Sequence, residues 1–338
     1  MKAAVLHEPG KLQIEDVPVP AVSGHEVLVK IKATAICGTD VALYKGKYAP
    51  KYLPIIQGHE SVGIVAEIGE NVTKFSAGDR VIINPAFFCG DCPCCINGLS
   101  NICLNGGLLG KDQSGTFAEY VAVNESSLTP LPQDITFEDA TSLQSLTSVL
   151  RAWERVSVKP GETVAVIGMG APGLLHVQMA AMSGGTVFAI TRSHWKLDIA
   201  ARYGAKTIGA LDVDPVKAVK EATGGKGVDL VIDTAGTQET MAQALNMARF
   251  GGTVMLYAVP HKVENLVLYP VFAKELTILG SRGMNQKGYA DAVALYQTGK
   301  LDLTPFVTHR FHLEDTAKMF DIVDSGSEKT LRAVCVFD

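Results

Sequence analysis

Over the first 147 residues the apolar positions come in short alternating or β-branched runs, each broken by Gly, Pro or Asp: "AAVLHEPGKLQIEDVPVP", "EVLVKIKATAICG", "GHESVGIVAEIG", "GDRVIIN" and "GTFAEYVAV". A two-residue period with this turn frequency predicts an irregular β-barrel or sandwich. From "ETVAVIGMGAPGLLHVQMAAMSGG" onward the rhythm changes. Continuous apolar strands such as "TVFAI", "VDLVIDTAG" and "TVMLYAVP" alternate with amphipathic stretches such as "HWKLDIAARYG", "DPVKAVKEATG" and "QETMAQALNMARFGG". Strands apolar on both sides, separated by helices, predict a parallel sheet covered on both faces. After about residue 285 the pattern is mixed again, through "YADAVALYQTGK" to a final strand "RAVCVF". No repeat, low-complexity tract or flexible linker interrupts it, so two closely packed domains with a cleft between them are expected.

Composition narrows the partners. The 338 residues, 47% hydrophobic and 19% charged, suffice for two cores without disulfide staples. A formal charge of -5 with no Lys/Arg cluster argues against nucleic acid and anionic membranes, and points to small soluble ligands. The first residues lack the apolar core of a signal peptide, and no run of about 20 apolar residues occurs. The cytoplasm, where thiols stay reduced, is therefore expected.

Reduced thiols matter because five of the seven cysteines fall within "FFCGDCPCCINGLSNIC", residues 87 to 103. Disulfides, a redox pair and a metal site all use such clusters. Cys89, Cys92, Cys95 and Cys103 form C-x2-C-x2-C-x7-C, a spacing with which four thiolates close around one Zn2+ and leave no position for water. Such a site is structural, so the chemistry lies elsewhere. Cys94 is the surplus thiol.

"VAVIGMGAPG" sets Gly168, Gly170 and Gly173 as G-x-G-x-x-G after a strand and at the start of a helix. This is the turn that admits a dinucleotide pyrophosphate to a helix N-terminus. About 20 residues on, where an acidic residue would bind the ribose 2′-hydroxyl of NAD, "TRSHWK" offers Thr191. Without that carboxylate nothing repels a 2′-phosphate, and Arg192, Ser193 and Lys196 supply donors for one; NADP is favoured over NAD. The alternative is that Arg192 and Lys196 are solvated surface charges.

Cys37 in "AICGTD" and His59 with Glu60 in "QGHE" end apolar runs beside a Gly. A thiolate, an imidazole and a carboxylate can make a second zinc site with an open position. A buried Cys and a hydrogen-bonded His account for them equally well from spacing alone.

Taken in order, "CGTD", "GHE", "GDRV", the four-cysteine loop, "GMGAPG" and "LRAVCVF" resemble the zinc-containing medium-chain alcohol and polyol dehydrogenases over essentially the whole chain. The resemblance implies a GroES-like catalytic domain from 1–147 and 286–338, carrying the zinc loop 87–105. A Rossmann domain from 148–285 would be inserted in it, giving an α/β protein. It implies that Cys37 and His59 bind a catalytic zinc approached by Glu60, that Thr39 bonds the substrate oxygen and relays its proton, and that Gly168, Gly170 and Gly173 contact the coenzyme. Arg332 resembles a basic residue near the coenzyme phosphates. Asp233 falls where the family lines the nicotinamide pocket, though a turn-forming Asp at a strand end fits as well. The remaining zinc-ligand position falls on Gln144, a weaker donor than a carboxylate or thiolate. The usual relay histidine falls near Ala42, leaving water or Asp40 as the proton exit.

The activity so implied is hydride transfer between an alcohol, polyol or sugar and NAD(P), in a homotetramer or dimer. The rivals are a zinc-free quinone or enone reductase on the same plan and an inactive nucleotide-binding protein.

Overall fold

The computed structural model describes residues 1–259 and 263–338. They fall into two compact units, Met1–Thr147 with Met284–Asp338, and Ser148–Gly283. The division falls inside one long helix, Phe137–Trp153. No helix among the described residues is long and apolar enough to cross a membrane.

In the first unit the alternating segments form antiparallel sheets. The strand Glu26–Ala35 is central, pairing with Glu60–Ile68, with Tyr120–Asn124 and with the C-terminal strand Arg332–Val336. Its inward residues Val27, Val29 and Ile31 pack with Val65, Val81, Ile83 and Val121 in one core cluster. A second cluster joins Leu6, Tyr44, Phe117 and Phe320, so residues from both ends of the chain share one interior. Register then decides what meets at the end of the central strand. Ala35 lies opposite Glu60 on one side and Val334 on the other. Antiparallel pairing therefore brings the residues just after Ala35, those around Glu60 and those just before Val334 to the same edge.

The second unit is a six-stranded parallel sheet of Thr163–Ile167, Thr186–Thr191, Lys206–Gly209, Val228–Asp233, Ala248–Leu256 and Thr277–Gly280, arranged in sequence order 3-2-1-4-5-6. Right-handed crossovers place helices on both faces of such a sheet. Its central strands are buried along most of their length, as in Val228–Asp233, where five of six residues are buried, whereas the edge strands Lys206–Gly209 and Thr277–Gly280 are largely exposed. Burial explains the unbroken apolar sequence of the central strands. This is the Rossmann arrangement, and with the GroES-like β-rich unit it makes an α/β protein.

Three helices escape the β-rich reading of the first 147 residues, one of them the single turn Pro93–Ile96. Gly38–Tyr44 is short, and Phe137–Trp153 carries both Gln144 and Ser148. The signal for the longer helix lay in "TFED": Thr136 Oγ1 accepts the Asp139 backbone N–H at 3.1 Å, a capping interaction at the helix start.

Candidate functional site

The expected donors meet at the edge that the register defines. Cys37 lies two residues beyond Ala35 and starts the helix Gly38–Tyr44; His59 directly precedes Glu60. Ligand atoms of Cys37, His59 and Glu60 all lie within 4.8 Å of one another, with His59 and Glu60 buried. Among the described residues the only other such group is Cys89, Cys92, Cys95 and Cys103.

Asp40 braces the first group. Its Oδ2 accepts the Cys37 backbone N–H at 2.9 Å and its Oδ1 the Gly58 N–H at 3.1 Å, fastening the two donor-bearing segments together. Asp40 Oδ1 also lies 3.3 Å from His59 Nδ1, without the alignment of a hydrogen bond. Burial works against a charged His59 ring, but the charges of Asp40 and Cys37 outweigh it and hold its pKa well above the ordinary value. The pocket is thus built to hold positive charge. Asp40 is fully buried and occupied by these contacts, which removes it as the expected proton exit.

The buried guanidinium of Arg332 bonds Glu60 Oε2 at 2.6 Å, Ser145 Oγ at 2.7 Å and the Thr141 carbonyl at 3.0 Å. A guanidinium out of water needs such a set of acceptors, and the carboxylate supplies the charge. Glu60 is left with one uncommitted oxygen, Oε1. Gln144 also finds another partner: its Oε1 accepts the hydroxyl of fully buried Tyr289 at 2.5 Å. Burial raises that phenol far above its ordinary pKa, so it remains a neutral donor. Neither Tyr289 nor the Arg332–Glu60 pair was visible in the sequence, because each joins residues distant along the chain. Thr39 is half-buried in the first turn after Cys37.

The four-cysteine loop has the dimensions of a metal site. The Sγ–Sγ separations are 3.4 Å for Cys89–Cys103, 3.5 Å for Cys92–Cys95 and 3.8 Å for Cys92–Cys103. A tetrahedron with 2.3 Å Zn–S bonds has edges of about 3.8 Å, whereas a disulfide needs about 2.05 Å. Backbone N–H groups of Leu104 and Cys95 hold the Cys92 thiol down at about 6, while burial pushes Cys95 up to about 12. Four thiols packed this closely need a cation before all can ionise. Cys94 lies outside the group. Replacing Cys103 with Ser should lower bound zinc by one per chain and expose 87–105 to limited proteolysis. Unchanged metal content and protease resistance would count against the site.

In the second unit the glycine turn has the shape a dinucleotide requires. Gly168 adopts φ +92, and an added Cβ there would meet Thr234 Oγ1 at 2.7 Å. A Cβ on Gly173 would stand 1.9 Å from the Gly168 carbonyl, which enforces close packing of helix on strand. At Gly170 the nearest atom to an added Cβ is 3.8 Å away, leaving open space above the N-cap of helix Ala171–Met182. That space, with uncapped N–H groups facing it, fits a pyrophosphate.

Thr191 ends its strand, its Oγ1 accepting the Ser193 N–H at 3.3 Å. Arg192 is exposed, and Lys196 Nζ sits 5.3 Å from the Trp195 ring centroid, its pKa lowered by burial. Asp233 makes a turn: its Oδ1 accepts the Ala235 and Gly236 N–H groups and its Oδ2 the Thr240 hydroxyl.

Comparison with known proteins accords with both units. Residues 23–133 match the alcohol dehydrogenase GroES-like domain and residues 171–298 the zinc-binding dehydrogenase domain. An L-threonine 3-dehydrogenase of Bacillus velezensis is 35% identical over 334 residues, 96% of each chain. A sorbitol dehydrogenase of Bacillus subtilis is 32% identical over 324 residues, covering 94% of this chain and 91% of the relative. A zinc-binding dehydrogenase of Sinorhizobium meliloti, solved with NADP, shares 31% identity with a TM-score of 0.92 over 99% of both chains. With both domain models matched and relatives of this identity along nearly its full length, the chain belongs to the zinc-containing medium-chain alcohol and polyol dehydrogenases, NAD(P)-dependent oxidoreductases.

Proposed function

We propose that Cys37, His59 and Glu60 hold the catalytic zinc, that Cys89, Cys92, Cys95 and Cys103 hold the structural one, and that the substrate is a small alcohol, polyol or sugar oxidised with NADP in preference to NAD. The observation that carries this reading is the convergence of three donor atoms within 4.8 Å in a pocket braced by Asp40. When bound, such a zinc supplies a Lewis acid that lowers the pKa of an alcohol oxygen and polarises a carbonyl in the reverse direction.

The chain's own groups do the rest. Asp40 holds the Cys37 and His59 segments in register. Arg332 fixes Glu60 through Oε2 and leaves Oε1 for the metal. Gln144, its amide oxygen engaged by Tyr289, would stay out of the donor set, so that three donors would hold the metal and substrate could reach it. Thr39, in the turn that follows Cys37, accepts the proton of the substrate hydroxyl and passes it to water, since Ala42 offers no relay. Gly168, Gly170 and Gly173 would seat the pyrophosphate of NAD(P), which when bound would supply the nicotinamide that accepts or donates hydride. A set of zinc donors this close sets the chain apart from a zinc-free quinone or enone reductase.

Thr191, Arg192, Ser193 and Lys196 support the NADP preference, and the NADP-bound relative agrees with it. Replacing Thr191 with Asp should reduce kcat/KM for NADP by about 10- to 100-fold, the value of one charge-assisted hydrogen bond lost to repulsion, and leave NAD unchanged or improved. Steady-state kinetics with both coenzymes over a polyol and amino-alcohol panel tests this. Unchanged NADP kinetics in the variant would contradict the assignment of Thr191 and its neighbours, and no turnover with any substrate would favour a nucleotide-binding protein without catalysis. The relatives' names place threonine and sorbitol at the head of that panel.

A homotetramer or dimer is part of the same reading. Its support is the exposed apolar run Val267, Leu268, Tyr269 and Phe272 beside the edge strand Thr277–Gly280. The cytoplasm suits a loop that requires reduced thiols.

A further inference from the structure

Arg332 holds Glu60, and the strand that carries Arg332 is itself held by a side chain rather than by a regular ladder. The strands Val307–Phe311 and Arg332–Val336 run parallel, with Val307 opposite Arg332 and His309 opposite Ala333. The register slips between those two pairs, so that Thr308 has no residue opposite it. Such irregularities re-aim a side chain. Here the Thr308 hydroxyl turns onto the neighbouring strand, where Oγ1 accepts the Leu331 N–H at 3.0 Å and donates to the Arg332 carbonyl at 3.1 Å. One hydroxyl thus clasps the main chain of Leu331 and Arg332.

Thr308 Oγ1 has a third neighbour, His309 Nδ1 at 3.0 Å, and His309 Nε2 lies 2.8 Å from Glu328 Oε2. Proton balance fixes the state of this chain of contacts. A hydroxyl has one proton and two lone pairs. With its proton on the Arg332 carbonyl and one lone pair taken by the Leu331 N–H, Oγ1 can only accept from Nδ1. A carboxylate likewise only accepts, here from Nε2. All four contacts together therefore require a proton on both ring nitrogens, the imidazolium. A neutral ring that keeps Nε2–H for Glu328 presents a lone pair at Nδ1, which draws the Thr308 proton away from the Arg332 carbonyl.

The other charges near the ring are engaged elsewhere or face solvent. Arg310, next along the strand, pairs with Glu138 at 3.6 Å, the Arg332 guanidinium is turned to Glu60, and Lys329 is exposed. The Glu328 side chain is 52% exposed, so its ion pair with His309 adds little stability. What the pair governs is the direction of the Thr308 proton.

We propose that Thr308 is a positioning residue for Glu60, acting through Arg332, and that the charge on His309 sets how firmly it holds. Histidine is the side chain that changes charge between about pH 5 and 8. Proton loss from His309 releases the Arg332 carbonyl, loosens the guanidinium on Glu60 Oε2 and weakens the grip on zinc as pH rises. Protonation of metal ligands acts in the opposite direction, releasing metal as pH falls. The proposal rests on Cys37, His59 and Glu60 holding zinc.

The test is the rate at which a chromogenic chelator removes zinc from the zinc-loaded full chain, the phase absent from Cys37→Ala marking the site of Glu60. Thr308→Val keeps the shape of the side chain and removes the hydroxyl. It should speed that phase about tenfold at about pH 6, the worth of one hydrogen bond, and Thr308→Ser should stay within about twofold of wild type. His309→Phe has no lone pair to compete for the Thr308 proton. It should match wild type at about pH 5.5 and release zinc about fivefold more slowly than wild type at about pH 9. A rate within about twofold of wild type in Thr308→Val would overturn the positioning role. A ratio of His309→Phe to wild type that does not change with pH would overturn the role of the charge, and it decides the matter if Thr308→Val does not fold. Identical time courses for Cys37→Ala and wild type would instead overturn the zinc assignment.

Discussion

Replacing Cys37 with Ala should reduce kcat/KM by about a thousandfold or more while the chain stays folded and retains the zinc of its four-cysteine loop. A Lewis acid contributes several kcal/mol to stabilising a developing alkoxide, and about 4 kcal/mol is three powers of ten. Removing the thiolate leaves one imidazole and one carboxylate, too few to hold the metal in a defined geometry. The scaffold should survive, because Asp40 bonds the Cys37 main chain rather than its sulfur. The neighbouring core of Val41, Tyr44 and Phe320 also does not involve that side chain. Kinetics beside metal analysis and thermal unfolding separate the outcomes. Activity within tenfold of wild type would mean that the sulfur takes no part in the reaction.

The second large effect is on stability. Arg332→Met leaves Glu60 buried without its cation, and breaking a buried pair from one side costs about 3–5 kcal/mol. The loss should be greater in protein stripped of metal, because a bound zinc can supply the missing positive charge at Glu60. Adding Glu60→Gln should restore part of the stability, since the orphaned charge is then gone. Urea unfolding of the single and double variants, with and without chelator, measures each term. A loss below about 1 kcal/mol for Arg332→Met would show that the guanidinium is not tied to Glu60 in solution.

Much of this architecture was readable because periodicity is local. The apolar strands and amphipathic stretches after residue 160 give the parallel sheet, and G-x-G-x-x-G announces its own helix and turn. The four cysteines of 89–103 are also a local matter, their spacing nearly fixing the geometry. What escaped was long-range. The resemblance sets Arg332 near the coenzyme phosphates, and no local pattern announces that the register setting Val334 opposite Ala35 also turns its side chain onto Glu60, 272 residues away. The resemblance gives Gln144 a ligand position, and the sequence does not reveal that a tyrosine 145 residues away donates to its oxygen. Asp40, named beside water as a proton exit, has its carboxylate engaged by two backbone N–H groups. Partners of this kind are set by which strands pair, and no window of sequence contains that information. The helix Phe137–Trp153 is a different omission: the pairing of Thr136 with Asp139 at its start is local to the sequence.

Anomalous diffraction at the zinc edge, from crystals of the zinc-loaded chain, addresses the central claim most directly. Two peaks per chain are predicted, one among Cys89, Cys92, Cys95 and Cys103, the other bonded to Cys37, His59 and Glu60 with Gln144 outside bonding distance. A single peak in the cysteine loop, with nothing at Cys37 and His59, would contradict the account.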